Sequence, residues 1–175
     1  MTVTTIPTAG ITDATIVTAD LADDAVTTAK AAFSPGKINQ HLSSTKFTSG
    51  SQSSTSTTYV STPVTANITP SATSSNILIA FNLTIYKTGG DNEIDVRILR
   101  DIGGSTEEVV ETGALATSNS NDHYDTLCIV SNDAPSTTSQ ITYTVQFRRT
   151  AGSGTVATSI SSSKRAEMTL MEVLA

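Results

Sequence analysis

Residues 76–87 read NILIAFNLTIYK, with Ile77, Ile79, Phe81, Leu83 and Ile85 at every second position. A period of two puts all five on one face of a β-strand, whereas a helix would scatter them around its axis. The alternate positions, Leu78, Ala80, Asn82, Thr84 and Tyr86, are only partly polar. A strand of this kind expects cover on both faces, in a sandwich or at a contact between subunits.

The same texture runs outward from it. EIDVRILR (93–100) places Ile94, Val96 and Ile98 on one face. QITYTVQFRRT (140–150) sets Ile141, Tyr143, Val145 and Phe147 against Thr142, Thr144, Gln146 and Arg148. Further strands are expected in KINQHLSSTKF (37–47), through Tyr59, Val60, Val64, Ala66 and Ile68, in TEEVVETGAL (106–115), HYDTLCIVSND (123–133) and TVATSIS (155–161), and in the closing RAEMTLMEVLA (165–175), which reads as lying inside a sheet. TPSATSSN, TGGDN, DIGGS, APSTTS and AGSG separate them, rich in the residues that turns require. Eight or nine short strands and no helical stripe after Lys37 predict an all-β fold, a jelly-roll-like antiparallel β-sandwich over residues 37–175.

Composition agrees. Ser and Thr account for 55 of the 175 residues, aromatics for 5%, and there is no Trp. The core must come from Ile, Val, Leu and a few Phe and Tyr. The net charge of −6 and the lack of a basic stripe argue against a nucleic-acid partner. The longest apolar run, ILIAF, is too short to span a bilayer, and MTVTTIPTAG lacks the basic and apolar regions of a signal peptide. A soluble chain made in a cytoplasm, with no membrane partner, is the expectation.

Residues 1–36 differ. In ITDATIVTADLADDAVTTAKAA (11–32) and just before it, Ile6, Ile11, Ile16, Leu21 and Val26 recur every five residues, and Pro35-Gly36 closes the segment. Five is neither a helix nor a strand period. Burying each such side chain returns about 1.5–3 kcal/mol, while ordering backbone costs about 1–2 kcal/mol for every residue. Five anchors do not hold some thirty residues in place unaided. The segment is expected to be an extended arm, or one with a short helix capped by Thr18 or Asp20, that orders only on a partner; the competing reading is a disordered leader. Ile6, Ile11, Ile16, Leu21, Val26 and Phe33 are the candidate partner-binding residues. About 36 extended residues reach on the order of 120 Å.

Chemistry is harder to find. One cysteine, Cys128, and two histidines, His41 and His123, form neither a disulfide nor a zinc site. No nucleophile elbow, HExxH or phosphate loop occurs. Cys128 reads as a buried strand residue and His123 as a strand-edge residue. Asp20, Asp23 and Asp24 lack the spacing of a calcium loop, and Asp91, Asn92 and Glu93 read as a turn. Asn67 and Asn82 head glycosylation sequons, without consequence in a chain that is not secreted. Arg97 and Arg148 fall opposite the apolar faces, and with Arg100 and Arg149 near strand ends they are expected to pair with Glu107, Glu108 or Glu111, within the chain or across subunits. No catalytic residue, metal or cofactor is expected, and the chain does not read as an enzyme.

Several separated motifs do carry a resemblance. Ile38-Asn39-Gln40, Thr58-Tyr59-Val60, ITPSATSSNILI (68–79), Arg97 to Arg100, APSTTSQITY (134–143) and TLMEV (169–173) together resemble a domain of tailed-bacteriophage virion accessory proteins, either head decoration (cement) proteins or tail-fibre proteins. The match runs over most of residues 37–175, with APS where that family usually has SPS. The five-residue repeat also resembles segments found upstream of such domains. The resemblance implies a virion structural protein with a trimeric β-sandwich. The leading expectation is a homotrimer on the capsid exterior that binds the major capsid protein lattice through its arms. The alternative is a tail-fibre or tail-tip protein that contacts tail proteins or a host receptor.

Overall fold

In the computed structural model of the chain, the described residues are 37–43, 47–88, 92–116 and 123–174. They form ten strands: β1 (Ile38–Ser43), β2 (Ser53–Ser54), β3 (Val60–Ile68), β4 (Asn76–Lys87), β5 (Glu93–Ile102), β6 (Ser105–Ala116), β7 (His123–Asp133), β8 (Ile141–Ala151), β9 (Val156–Thr158) and β10 (Glu167–Val173). The expectations placed on residues 1–36, including the six candidate anchors, lie outside the described residues.

The strand pairing is nested. β1 pairs with β10, β3 with β8, β4 with β7 and β5 with β6, all antiparallel. A long hairpin whose two arms each carry four strands would pair in this way. β10 also pairs with β4, and β8 with β5, so the hairpin is rolled up on itself. The result is two sheets, one ordered β1-β10-β4-β7 and the other β3-β8-β5-β6. This order is that of a jelly roll, with two Greek keys folded into a sandwich. The expected fold is therefore the observed one for residues 37 onward.

β2 and β9 raise the strand count above the eight or nine expected. They are fragments of principal strands. β10 pairs with β4 from Asn76 to Asn82, and β9 continues along the same edge from Ile85 to Lys87. The chain leaves that edge after Thr158 and returns at Glu167. Its neighbour is interrupted in parallel fashion. β1, the single bridge Phe47–Ala166 and β2 follow β10, Ala166 and β9 in turn. Of the predicted first strand over 37–47, β1 takes Ile38–Ser43 and Phe47 bridges Ala166; residues 44–46 lie outside the described residues.

The core is the set of inward positions read from the alternation. Ile77, Ile79, Phe81, Leu83 and Ile85 face Ile94, Val96, Ile98, Ile141, Tyr143, Val145 and Phe147, and all are buried. Met168 and Leu170 of β10 complete it, between β1 and β4. The β5–β6 hairpin closes through Gly103 and Gly104, at φ +61° and +90°. Two consecutive positive φ values make a tight turn whose twist suits the flanking strands, and glycine takes them without strain.

Cys128 corrects an expectation. It is exposed. Both faces of β7 carry apolar residues, so its alternation alone has no phase. Pairing with β4 sets it: Leu127 stands opposite the buried Leu83, and Cys128 opposite the outward Asn82. Leu127 and Ile129 turn inward, while Val130 is 69% exposed.

Candidate functional site

The polar side chains concentrate in three clusters, and each is assembled from the separated motifs of the sequence. The first centres on Glu172, which is fully buried. β10 alternates Met168, Leu170 and Glu172 toward the core, so the strand's own period carries the acid inward. Asn39 and Gln40 of β1 donate to its Oε2 at 2.8 and 2.7 Å. The Ser71 backbone N–H and the Ser71 and Ser75 hydroxyls donate to its Oε1 at 2.6, 2.7 and 2.7 Å. Gln40 also donates to the Thr69 carbonyl at 2.8 Å. Burial alone would raise the carboxyl pKa. The bonds from Asn39, Ser75, Gln40 and Ser71 outweigh it and hold the pKa at about 2.

The second cluster joins the sheets. Asp133, at the end of β7, accepts from the buried Tyr143 hydroxyl of β8 at 2.7 Å and from Arg100 Nη1 of β5 at 2.7 Å. Arg100 also pairs with Glu107 of β6. Burial, and then the bond to Asp133, push the Tyr143 pKa far up, so the phenol stays protonated.

The third lies on the outer face of the β3-β8-β5-β6 sheet. Tyr59, just before β3, lies across it. The guanidinium carbons of Arg97 and Arg148 sit 3.8 and 4.5 Å from its ring centroid, and its hydroxyl donates to Glu111. Arg148 also bonds Asp95 at 3.0 Å and Glu111 at 2.8 Å, and Arg97 pairs with Glu108 at 3.0 Å. The expected Arg–Glu pairing is therefore found, with all three glutamates, within one chain. Arg149 instead donates to the Gly154 carbonyl at 2.8 Å.

The first two clusters are saturated at their acids. Every carboxylate oxygen of Glu172 and Asp133 has a donor, which leaves none poised to take a proton from a substrate. Asn92 is buried and ties a turn, bonding the Thr88 carbonyl and the Gly154 N–H. His41 is exposed on β1, and His123 is exposed at the first position of β7. Among the described residues no group of three or more His, Cys, Asp or Glu could hold a metal.

The outer face of the other sheet is different in character. Tyr86 and Tyr124 stack there with centroids 4.2 Å apart, and Lys164 Nζ lies 3.4 Å from the Tyr124 centroid. One face of the Tyr124 ring is taken by a ring and the other by an ammonium, so neither is a free platform for a sugar. Beside them is an open depression of about 330 Å³ lined by Ala80, Asn82, Cys128, Val130, Glu167 and Thr169. Two of its polar groups are engaged: Glu167 accepts from Ser43, and Asn82 accepts from the Glu167 N–H.

Viral capsid proteins are among the solved structures this chain is similar to. The infectious bursal virus derived T=1 particle shares 12% identity at a TM-score of 0.44 over 79% of this chain. The infectious bursal disease virus VP2 subviral particle shares 16% at 0.40 over 79%. This chain spans 37% and 39% of those two chains. No protein-family model and no curated protein matches it. The jelly-roll assignment stands on the strand order itself.

Sequence reasoning found the arginine pairs and missed the buried acids Glu172, Asp133 and Asp95. The signal for Glu172 was present: it holds the inward phase of an otherwise apolar strand. Asp133 had none, because its partners lie on strands distant in sequence.

Proposed function

We propose that this chain is a bacteriophage virion structural protein, a capsid decoration protein that binds the major capsid protein lattice as a homotrimer. It is made in the host cytoplasm and sits on the capsid exterior. Residues 1–36 are its attachment arm, with Ile6, Ile11, Ile16, Leu21, Val26 and Phe33 as anchors. The function is mechanical and not catalytic. Each arm buries apolar side chains across a joint between capsomers, and several arms per assembly act together.

The observation that carries the reading is where the shared motifs go. Asn39-Gln40, Tyr59, Ser71 and Ser75, Arg97 and Arg100, Tyr143 and Glu172 all enter the three clusters that hold the jelly roll together. What resembles the phage accessory proteins is thus a scaffold. Attachment then falls to the part of the chain whose repeat serves no fold of its own.

The test uses particles that lack the protein. DNA-filled heads without it are expected to burst at a lower temperature than complete heads, and adding back the full chain restores them. Adding back residues 37–175 alone does not. Equal bursting temperatures would sink the cementing role, and a copy number matching the tail rather than the head would move the protein there.

A further inference from the structure

Three of the four edges of the sandwich are blunted against pairing, and one is not. β1 is short and its register shifts between Ile38 and Gln40. β3 carries Pro63, and its pairing is interrupted between Ser61 and Thr65. β6 has two register shifts and displays Glu107, Glu108 and Glu111. Charge, proline and bulges are the usual means by which sheet edges avoid a second chain. β7 has no proline and no bulge, and its carboxylates are only Asp125 and the buried Asp133. It pairs with β4 through eleven consecutive residues without a shift, and contains no Lys, Arg or Pro. Among the described residues its other side pairs with nothing.

Its side chains are also under-covered. Leu127 and Ile129 face the core yet are only partly buried. Val130 is 69% exposed and Tyr124 50%.

We propose that β7 is an interface with a second copy of this chain, pairing antiparallel with the partner's β7 across a two-fold axis at Cys128. The strand is self-complementary in that register. Leu127 meets Ile129, Thr126 meets Val130, Asp125 meets Ser131, Tyr124 meets Asn132 and His123 meets Asp133. Apolar residues oppose apolar or Thr, and no like charges oppose. Centring on Ile129 would set Asp125 against Asp133, and centring on Leu127 would set Asp125 against Ile129. Like charges directly opposite destabilise an antiparallel pair, and a charged residue opposite an apolar one forfeits the cross-strand contact. The pairing extends one sheet into the next and covers the half-buried Leu127 and Ile129. An isologous contact of this kind is two-fold. It holds whether or not the capsid reading does, and in a trimeric assembly it would join one trimer to the next.

Cys128 reports on it. Directly opposed residues in an antiparallel pair lie about 4.5–5.5 Å apart at Cα, within the range a disulfide spans. Cys128 is the only cysteine in the chain, so any covalent dimer is Cys128–Cys128. The full chain, oxidised with copper phenanthroline and air, is expected to give a covalent dimer in high yield. Val130→Lys, at an exposed outward position, is expected to cut that yield at least tenfold and to halve the mass of the two-fold species in light scattering. Equal yields from both proteins would mean random collision and would overturn the proposal, as would no dimer. Register is tested in a Cys128→Ser background. Thr126→Cys mixed with Val130→Cys should cross-link, and Thr126→Cys alone should not. The reverse pattern would overturn the register.

Discussion

Glu172 of β10 and Asp133 of β7 stand opposite the same residue, Ile77 of β4, from its two sides. One transverse row of the sheet therefore carries two buried acids, with an isoleucine between them. The acids bind in different directions. Glu172 holds the edge strand β1 and the turn at Ser71–Ser75, whereas Asp133 holds the opposite sheet through Arg100 and Tyr143.

Replacing Glu172 tests the first of these. Glu172→Gln keeps the shape but puts an amide NH₂ where donors already converge. It is expected to cost about 2–4 kcal/mol, since hydrogen bonds to a buried charge are worth about 1.5–3 kcal/mol and donors would be left unmet. Asn39→Ala and Ser75→Ala should each cost about 1–2 kcal/mol. Urea unfolding measures all three.

The same carboxylate makes stability depend on acid. Its pKa is about 2 in the folded chain against a reference of 4.5. A depressed pKa gives a contribution fully present above about pH 4.5 and lost as the pH falls toward 2. Denaturant midpoints should drop between pH 5 and pH 2, by an amount on the order of 2–3 kcal/mol from this group. Glu172→Gln should flatten that part of the profile. An unchanged slope in the variant would show that another group is responsible.

Tyr143→Phe leaves Asp133 with Arg100 alone and buries no new polar group. A loss of about 1–2 kcal/mol is expected. Combined with Arg100→Gln in a double-mutant cycle, it should show coupling of at least about 0.5 kcal/mol, because both residues bond one carboxylate. Strict additivity would mean that the cluster does not act as a unit.

The β5–β6 turn gives a backbone prediction. A Cβ at Gly103 or Gly104 meets no atom within 4 Å, so any cost of Ala comes from the positive φ and not from a clash. Gly103→Ala is expected to lose about 1 kcal/mol, while Gly103→Asn, which tolerates that region, should lose less. Thermal unfolding of the two variants decides it.

The sequence carried much of the fold because β4, β5 and β8 each hold a full row of large apolar residues on one face. Strand period then settles which residues are core. β2 and β9 were not legible, being two and three residues long and formed only because a longer strand is interrupted. Cys128 was misplaced because β7 is apolar on both faces, and only its partner β4 chooses between them. The arginine pairs could be read from faces and strand ends. The inward phase of Glu172 could have been read too, but not its partners, since hydrogen bonds between residues such as Asn39 and Glu172, 133 positions apart, leave no local trace.

Lys37 and Leu174 meet at one corner, where the Leu174 N–H bonds the Lys37 carbonyl at 3.0 Å beside the Ile38–Val173 pair. Tension applied to the backbone at Lys37 enters the sheet at that corner. The first side chains it meets beyond Ile38 are Asn39 and Gln40, both clamped to Glu172. The chain thus has a strain relief built in, like the grip that secures a cable where it enters its housing: a pull must break the clamp before it can peel β1 from the sheet.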